Sequence, residues 1–141
     1  MSKPEPGFQI VDHTADAGIR GQAGDLSDLF RVMAEGLFSV IADPSGVLPS
    51  IERSLELEGQ PETELLHEWL ENLNTLHQIH NELYVSFTPR IYGNRLTASV
   101  RGEPIDLLRH ELRVEVKGVT WHDLMCRETP TGYEAFVLVD I

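Results

Sequence analysis

Groups able to do chemistry collect in two places far apart in this sequence: Asp12, His13, Thr14 and Asp16 near the start, and Asp140 followed by Ile141 at the end. The first run crowds carboxylate, hydroxyl and imidazole groups between apolar segments. On residue types alone the plain reading outweighs the functional one, because aspartate and threonine side chains form turn hydrogen bonds with nearby backbone. Asp140 sets a side-chain carboxylate directly before the α-carboxylate at the end of a hydrophobic run, which taken alone is a frayed terminus. Hard cations such as Ca²⁺ and Mg²⁺ take carboxylate and carbonyl oxygens. The two places therefore become one candidate metal site if the fold brings Asp16 beside Asp140.

Other candidates carry less. His67-Glu68-Trp69-Leu70-Glu71 has Glu71 where a zinc-protease helix requires its second histidine, and that reading is rejected. His77 and His80 can share a helix face but lack a third ligand, so they read as surface histidines near a fraying helix end. Gly18-Ile19-Arg20-Gly21 has neither the spacing nor the lysine-serine ending of a phosphate loop. Cys126 is the only cysteine, which excludes an intrachain disulfide and a cysteine zinc cluster; in its hydrophobic context it reads as an inert packing residue. No catalytic residue is nominated.

The chain that must position these groups has 141 residues, the usual size of one domain, and a single domain spanning 1–141 is expected. Hydrophobic residues make up 41% and charged residues 24%, as in ordinary globular proteins. Eleven basic against 23 acidic residues give a net charge of −12, which repels phosphate backbones and disfavours direct nucleic-acid binding. The same acidity suits divalent cations or a basic protein partner. Met1 to Gly7 lacks the apolar core of a secretory signal, and no apolar run reaches the roughly 18 residues of a membrane helix. The expected location is cytoplasmic, without membrane association.

Local patterns supply the elements. Phe8 to Gly21 predicts two short strands, or one strand broken by a bend at the polar run. Leu26, Leu29, Phe30, Met33, Leu37, Phe38 and Ile41 follow helical spacing, with Asp25 or Ser27 as cap and Asp43-Pro44 as stop. Ile51 to Glu58 alternates as a half-buried strand with Leu55 and Leu57 inward. A second helix is predicted from Pro61, with Leu65, Leu66, Trp69, Leu70, Leu73 and Leu76 as its buried stripe. Leu83 to Tyr92 and Arg95 to Arg101 flank Gly93-Asn94 as a hairpin. Leu112, Val114 and Val116 alternate with charged residues, and this run, Thr120 to Cys126 and Tyr133 to Val139 predict three further strands. The fold class is α+β, with antiparallel or mixed β-sheet layers and two main amphipathic helices.

The order of Asp12-His13-Thr14-Ala15-Asp16, an amphipathic helix, Leu65-Leu66-His67-Glu68-Trp69-Leu70, Glu115-Val116-Lys117-Gly118-Val119-Thr120-Trp121-His122 and a final Asp140-Ile141 resembles the archease family over essentially the whole chain. The resemblance departs at Ala17, where a larger aliphatic is usual, at Gly118, where alanine is usual, and at Trp121, where tyrosine is usual. It implies a non-enzymatic accessory protein that activates an RtcB-type RNA ligase in tRNA splicing and RNA repair. The activation would promote guanylylation of the ligase's active-site histidine and allow multiple turnover.

Carried over by position, the resemblance places a metal site on Asp16, Asp140 and the main-chain oxygen of Ile141. The expected cofactor is a divalent cation, Ca²⁺ first, with Mg²⁺ or Mn²⁺ as alternatives. It also implies that Lys117 contacts the partner's active site, and that Asp12, His13, Thr14 and His122 support the site from outside the ligand set. His13 and His122 are expected to be buried and neutral, satisfying hydrogen bonds. Two other readings stay open: a chaperone or modulator of another RNA-modifying enzyme such as a tRNA methyltransferase, and a metal-dependent hydrolase in which the cation activates water.

Overall fold

The computed structural model describes residues 2–12, 15–59 and 61–141. The polar run at the start separates two strands, β1 (Gly7–Asp12) and β2 (Asp16–Ala23), which pair antiparallel from Gly7↔Gln22 to Asp12↔Ala17. Helix α1 (Leu26–Ile41) follows, its cap made by the Asp25 carboxylate accepting the Asp28 N–H at 2.8 Å. The helix stops where Ala42 turns extended, and Asp43 then caps a short 3-10 turn, Pro44–Gly46. The apolar stripe of α1 is buried along its length, and a Cβ on Gly36 would meet the Ile19 side chain at 2.7 Å, so that glycine lets α1 lie close on β2.

Strand β3 (Ile51–Glu58) leads to α2 (Glu62–His80), for which Pro61 is the capping residue rather than the first helical one. Glu62 and Glu64 sit in the first turn, where the free N–H groups favour acidic side chains. Asn81 ends the helix in the left-handed conformation (φ 55°), its N–H bonded to the His77 carbonyl. Strands β4 (Glu82–Tyr92) and β5 (Arg95–Pro104) form the expected hairpin, with Gly93 at φ 60° in the turn. Strands β6 (Gly118–Val119), β7 (Met125–Thr129) and β8 (Gly132–Asp140) complete the chain.

Two sheets result, and every strand pairing among the described residues is antiparallel. The smaller sheet runs β3-β5-β4. The larger runs β1-β2-β8-β6, with β7 also on β8. The helices join the core between them: Trp69 of α2 is fully buried and its indole N–H donates to the Phe30 carbonyl of α1 at 2.9 Å, while Phe38 of α1 packs edge-on against Tyr84 of β4. The α+β class with two amphipathic helices and antiparallel sheets is what the structure shows. No helix among the described residues is long and apolar enough to cross a membrane.

Two of the predicted strands do not form as expected. The run from Leu112 to Lys117 is extended but pairs only through one bridge, Leu112 with Ala42, and Leu112 and Val114 remain 45% and 41% exposed. Alternation requires only that successive side chains face opposite ways, and an extended chain does so without a neighbouring strand. Of the strand expected over Thr120 to Cys126, only Met125 and Cys126 are in a strand, as the start of β7, and residues 120–124 are a break between β6 and β7. Val119 pairs with Val139 and Met125 with Phe136, so β8 passes only Val137 and Leu138 while the segment opposite it must place residues 120–124. The surplus loops out as a turn closed by the Leu124 N–H on the Trp121 carbonyl (3.3 Å), with Asp123 at φ 55°.

Candidate functional site

Insertion of β8 beside β2 sets Asp16, the first residue of β2, opposite Asp140, the last of β8. Directly opposed residues of an antiparallel pair carry their side chains on one face, with Cβ atoms about 5 Å apart, and like charges there are unfavourable. On its other side Asp140 pairs with Gly118, and its carbonyl accepts the Lys117 N–H at 2.7 Å. A Cβ on Gly118 would meet nothing within 4 Å, so the alanine usual at this position would fit. Lys117 is exposed and Ile141 half-buried against the core. The structure thus brings Asp16, Asp140, Ile141 and the Lys117 backbone to one end of the larger sheet. Among the described residues no group of three His, Cys, Asp or Glu side chains is arranged to hold a metal, so a cation here would depend on main-chain oxygen as well.

The supporting residues fare differently. Asp12 is exposed at the end of β1, opposite Ala17. His13 and Thr14 lie outside the described residues. His122 is not the buried histidine expected: its side chain is 77% exposed in the turn after β6, with Nε2 3.4 Å from the Asp123 carboxylate. The turn's excursion from the sheet removes the neighbours that would have covered it. Cys126 is half-buried, and its burial pushes the thiol up to about 12, in keeping with an unreactive packing residue.

The principal feature missed in the sequence is a polar ridge on α2. His67 is buried and its Nε2–H donates to the Val119 carbonyl at 2.7 Å, while the Glu71 carboxylate accepts the Val119 N–H at 3.1 Å. Asn74 and Gln78 donate through their side-chain amides to the Val116 carbonyl at 2.9 and 3.0 Å. The spacing 67, 71, 74, 78 is one helical stripe, and it grips the backbone on both sides of Lys117 and Gly118. The histidine and glutamate spaced four apart, whose zinc-helix reading was rejected from the sequence, clamp both main-chain groups of one residue. That spacing was the available signal, but its target lies far along the chain. The His67 ring also stacks on Trp121, centroids 3.7 Å apart and planes within 14°.

The sequence matches the Archease protein family (MTH1598/TM1083) over residues 8–141. The protein archease of Methanopyrus kandleri is 36% identical over 138 residues, covering 95% of this chain and 99% of its own. That of Thermococcus gammatolerans is 37% identical over 129 residues, covering 89% and 91%. The solution structure of protein 1598 of Methanobacterium thermoautotrophicum superposes with a TM-score of 0.81 at 31% identity, over 96% of this chain and 99% of that one. A Thermotoga maritima crystal structure, described as an archease and possible chaperone, shares the fold with a TM-score of 0.61 at 17% identity, over 100% and 98%. With its length matched almost throughout, this chain belongs to the archease family.

Proposed function

We propose that this chain is an accessory protein that activates an RtcB-type RNA ligase, promoting guanylylation of the ligase's active-site histidine so that the ligase turns over repeatedly in tRNA splicing and RNA repair. Family membership over residues 8–141 is the observation that carries this reading. The net charge of −12 supports a protein partner over direct RNA binding. The covalent chemistry belongs to the ligase.

At the end of the larger sheet, Asp16, Asp140 and the main-chain oxygen of Ile141 would hold a divalent cation, Ca²⁺ or alternatively Mg²⁺ or Mn²⁺. The fit rests on an all-oxygen donor set and on two carboxylates opposed across β2 and β8. A bound cation would supply positive charge between those carboxylates and a Lewis-acidic centre for an anionic group of the partner. Lys117 adds a mobile ammonium beside it for a phosphate or carboxylate in the ligase site. The α2 ridge keeps the Lys117 backbone in place through Val116 and Val119.

The test is guanylylation of the ligase with and without this chain. The wild type should stimulate it, and Asp16→Ala or Lys117→Ala should lower the maximal stimulation by on the order of tenfold or more, as expected when a group acting at a reacting centre is removed. No stimulation by the wild type would sink the activator reading. Calorimetry with Ca²⁺ and with Mg²⁺ tests the metal separately, since binding that survives deletion of Asp140 and Ile141 would remove both from the site.

A further inference from the structure

Trp121 is a large aromatic ring left 60% exposed in a setting that holds it still. One face stacks on His67, which is itself buried and fixed to the Val119 carbonyl. The turn carrying the ring is closed by the Leu124 N–H and held to β8 by the Thr120 N–H on the Leu138 carbonyl at 2.9 Å. An exposed tryptophan costs solubility, and a rigid one has already lost the rotamer freedom that binding would otherwise remove. Such rings are the residues most often found at the energetic centre of protein interfaces.

The surroundings say what the open face would accept. Helix α2 sets Glu64 one turn before His67 and Glu71, which also accepts the Val119 N–H, one turn after, and the helix has no lysine or arginine. Asp123 adds an exposed carboxylate on the turn itself. A planar cation stacks on an aromatic face and can direct its N–H groups to flanking carboxylates, whereas a nucleobase would bring its phosphate against the same negative charge. The geometry points to Trp121 as a docking platform for an arginine side chain of a protein partner, on the surface next to the Asp16, Asp140 and Lys117 site. The partner is the ligase, so this assignment rests on the activator reading and deepens it. The platform contributes affinity, while the neighbouring site contributes to the chemistry.

Two measurements separate these roles. The chain has two tryptophans, and Trp69 is fully buried, so the acrylamide-quenchable fluorescence is that of Trp121 and disappears in Trp121→Phe. Adding ligase should protect this component from quenching. In the guanylylation assay, Trp121→Ala should raise the half-saturating concentration by on the order of tenfold with the plateau retained, while Trp121→Phe, which keeps a stacking ring, stays within about threefold of wild type. Circular dichroism checks that both variants are folded. If the wild type stimulates and the Trp121→Ala curve superimposes on it, the platform is overturned and the activator reading stands. If the wild type neither stimulates nor becomes protected, both fall. Protection by single-stranded RNA in the absence of ligase would overturn the assignment to a protein partner.

Discussion

The buried carboxylates of the smaller sheet and the two at the end of the larger one are placed in opposite ways, although elsewhere on the larger sheet Glu134 meets Arg127. On the smaller sheet, Glu82 of β4 is buried and receives Arg53 of β3 at 2.7 and 2.9 Å and the Tyr84 hydroxyl at 2.6 Å. Nearby, Glu103 of β5 is buried against Arg109, His110 and the Leu48 N–H. At the end of the larger sheet the register instead sets the Asp16 carboxylate opposite another carboxylate, Asp140. Acidic residues that brace the fold meet an arginine of the chain, while those of the candidate site face each other across the β2–β8 pairing. Residue type does not distinguish them; what lies opposite does.

Acid should attack the braced region first, and this is the largest effect expected. Arg109, followed by the Leu48 N–H, holds the Glu103 carboxyl down at about 2, against an ordinary value of 4.5, and Arg53 foremost holds Glu82 below the same value. A carboxyl depressed on folding stabilises above its unfolded value, and that stability is lost as pH falls through the folded one. Melting temperatures should therefore drop steeply from about pH 5 toward pH 2, and less steeply in Glu103→Gln. Parallel curves for wild type and variant would remove Glu103 from the account.

At neutral pH, Glu82→Gln should lower stability by about 1–3 kcal/mol in chemical denaturation, since it weakens hydrogen bonds to a charged group and to a buried hydroxyl. His67→Ala comes next, at about 1–2 kcal/mol, because the buried Val119 carbonyl loses its donor. The same substitution should also broaden the NMR signals of the Lys117 and Gly118 amides, which Glu82→Gln should leave unchanged. The smallest effect has the opposite sign. Asp140→Asn, in metal-free buffer, should raise stability by about 0.5 kcal/mol by relieving opposed charges, and should abolish any stabilisation by added Ca²⁺. If Asp140→Asn and Glu82→Gln both destabilise the protein, the contrast between the two regions is wrong.

Which of these features could be read from the sequence follows from how local their causes are. The stripe from Leu29 to Ile41, the alternation from Ile51 to Glu58 and the Gly93 turn each depend on neighbours within a few residues, and each matches the structure. The run from Leu112 to Lys117 has the right alternation but too few partners, and the 120–124 turn exists only because β8 is too short across from it. Asp16 and Asp140 were nominated separately, but their register depends on the pairing of strands from opposite ends of the sequence. The polar ridge from His67 to Gln78 was visible as spacing, and its meaning needed β6 to be in place.

The position of β8 also has a kinetic meaning. It lies between β2 on one side and β6 and β7 on the other, so the larger sheet closes only when a strand from late in the sequence docks against one from its start. Such a contact closes a long loop and gains nothing until it is made, whereas the β4–β5 hairpin can form from neighbouring residues. The smaller sheet is therefore expected to gain hydrogen-exchange protection early during refolding, and β2 late. The juxtaposition of Asp16 and Asp140 would then report that the chain has finished folding, so that a partly folded molecule lacks the candidate site.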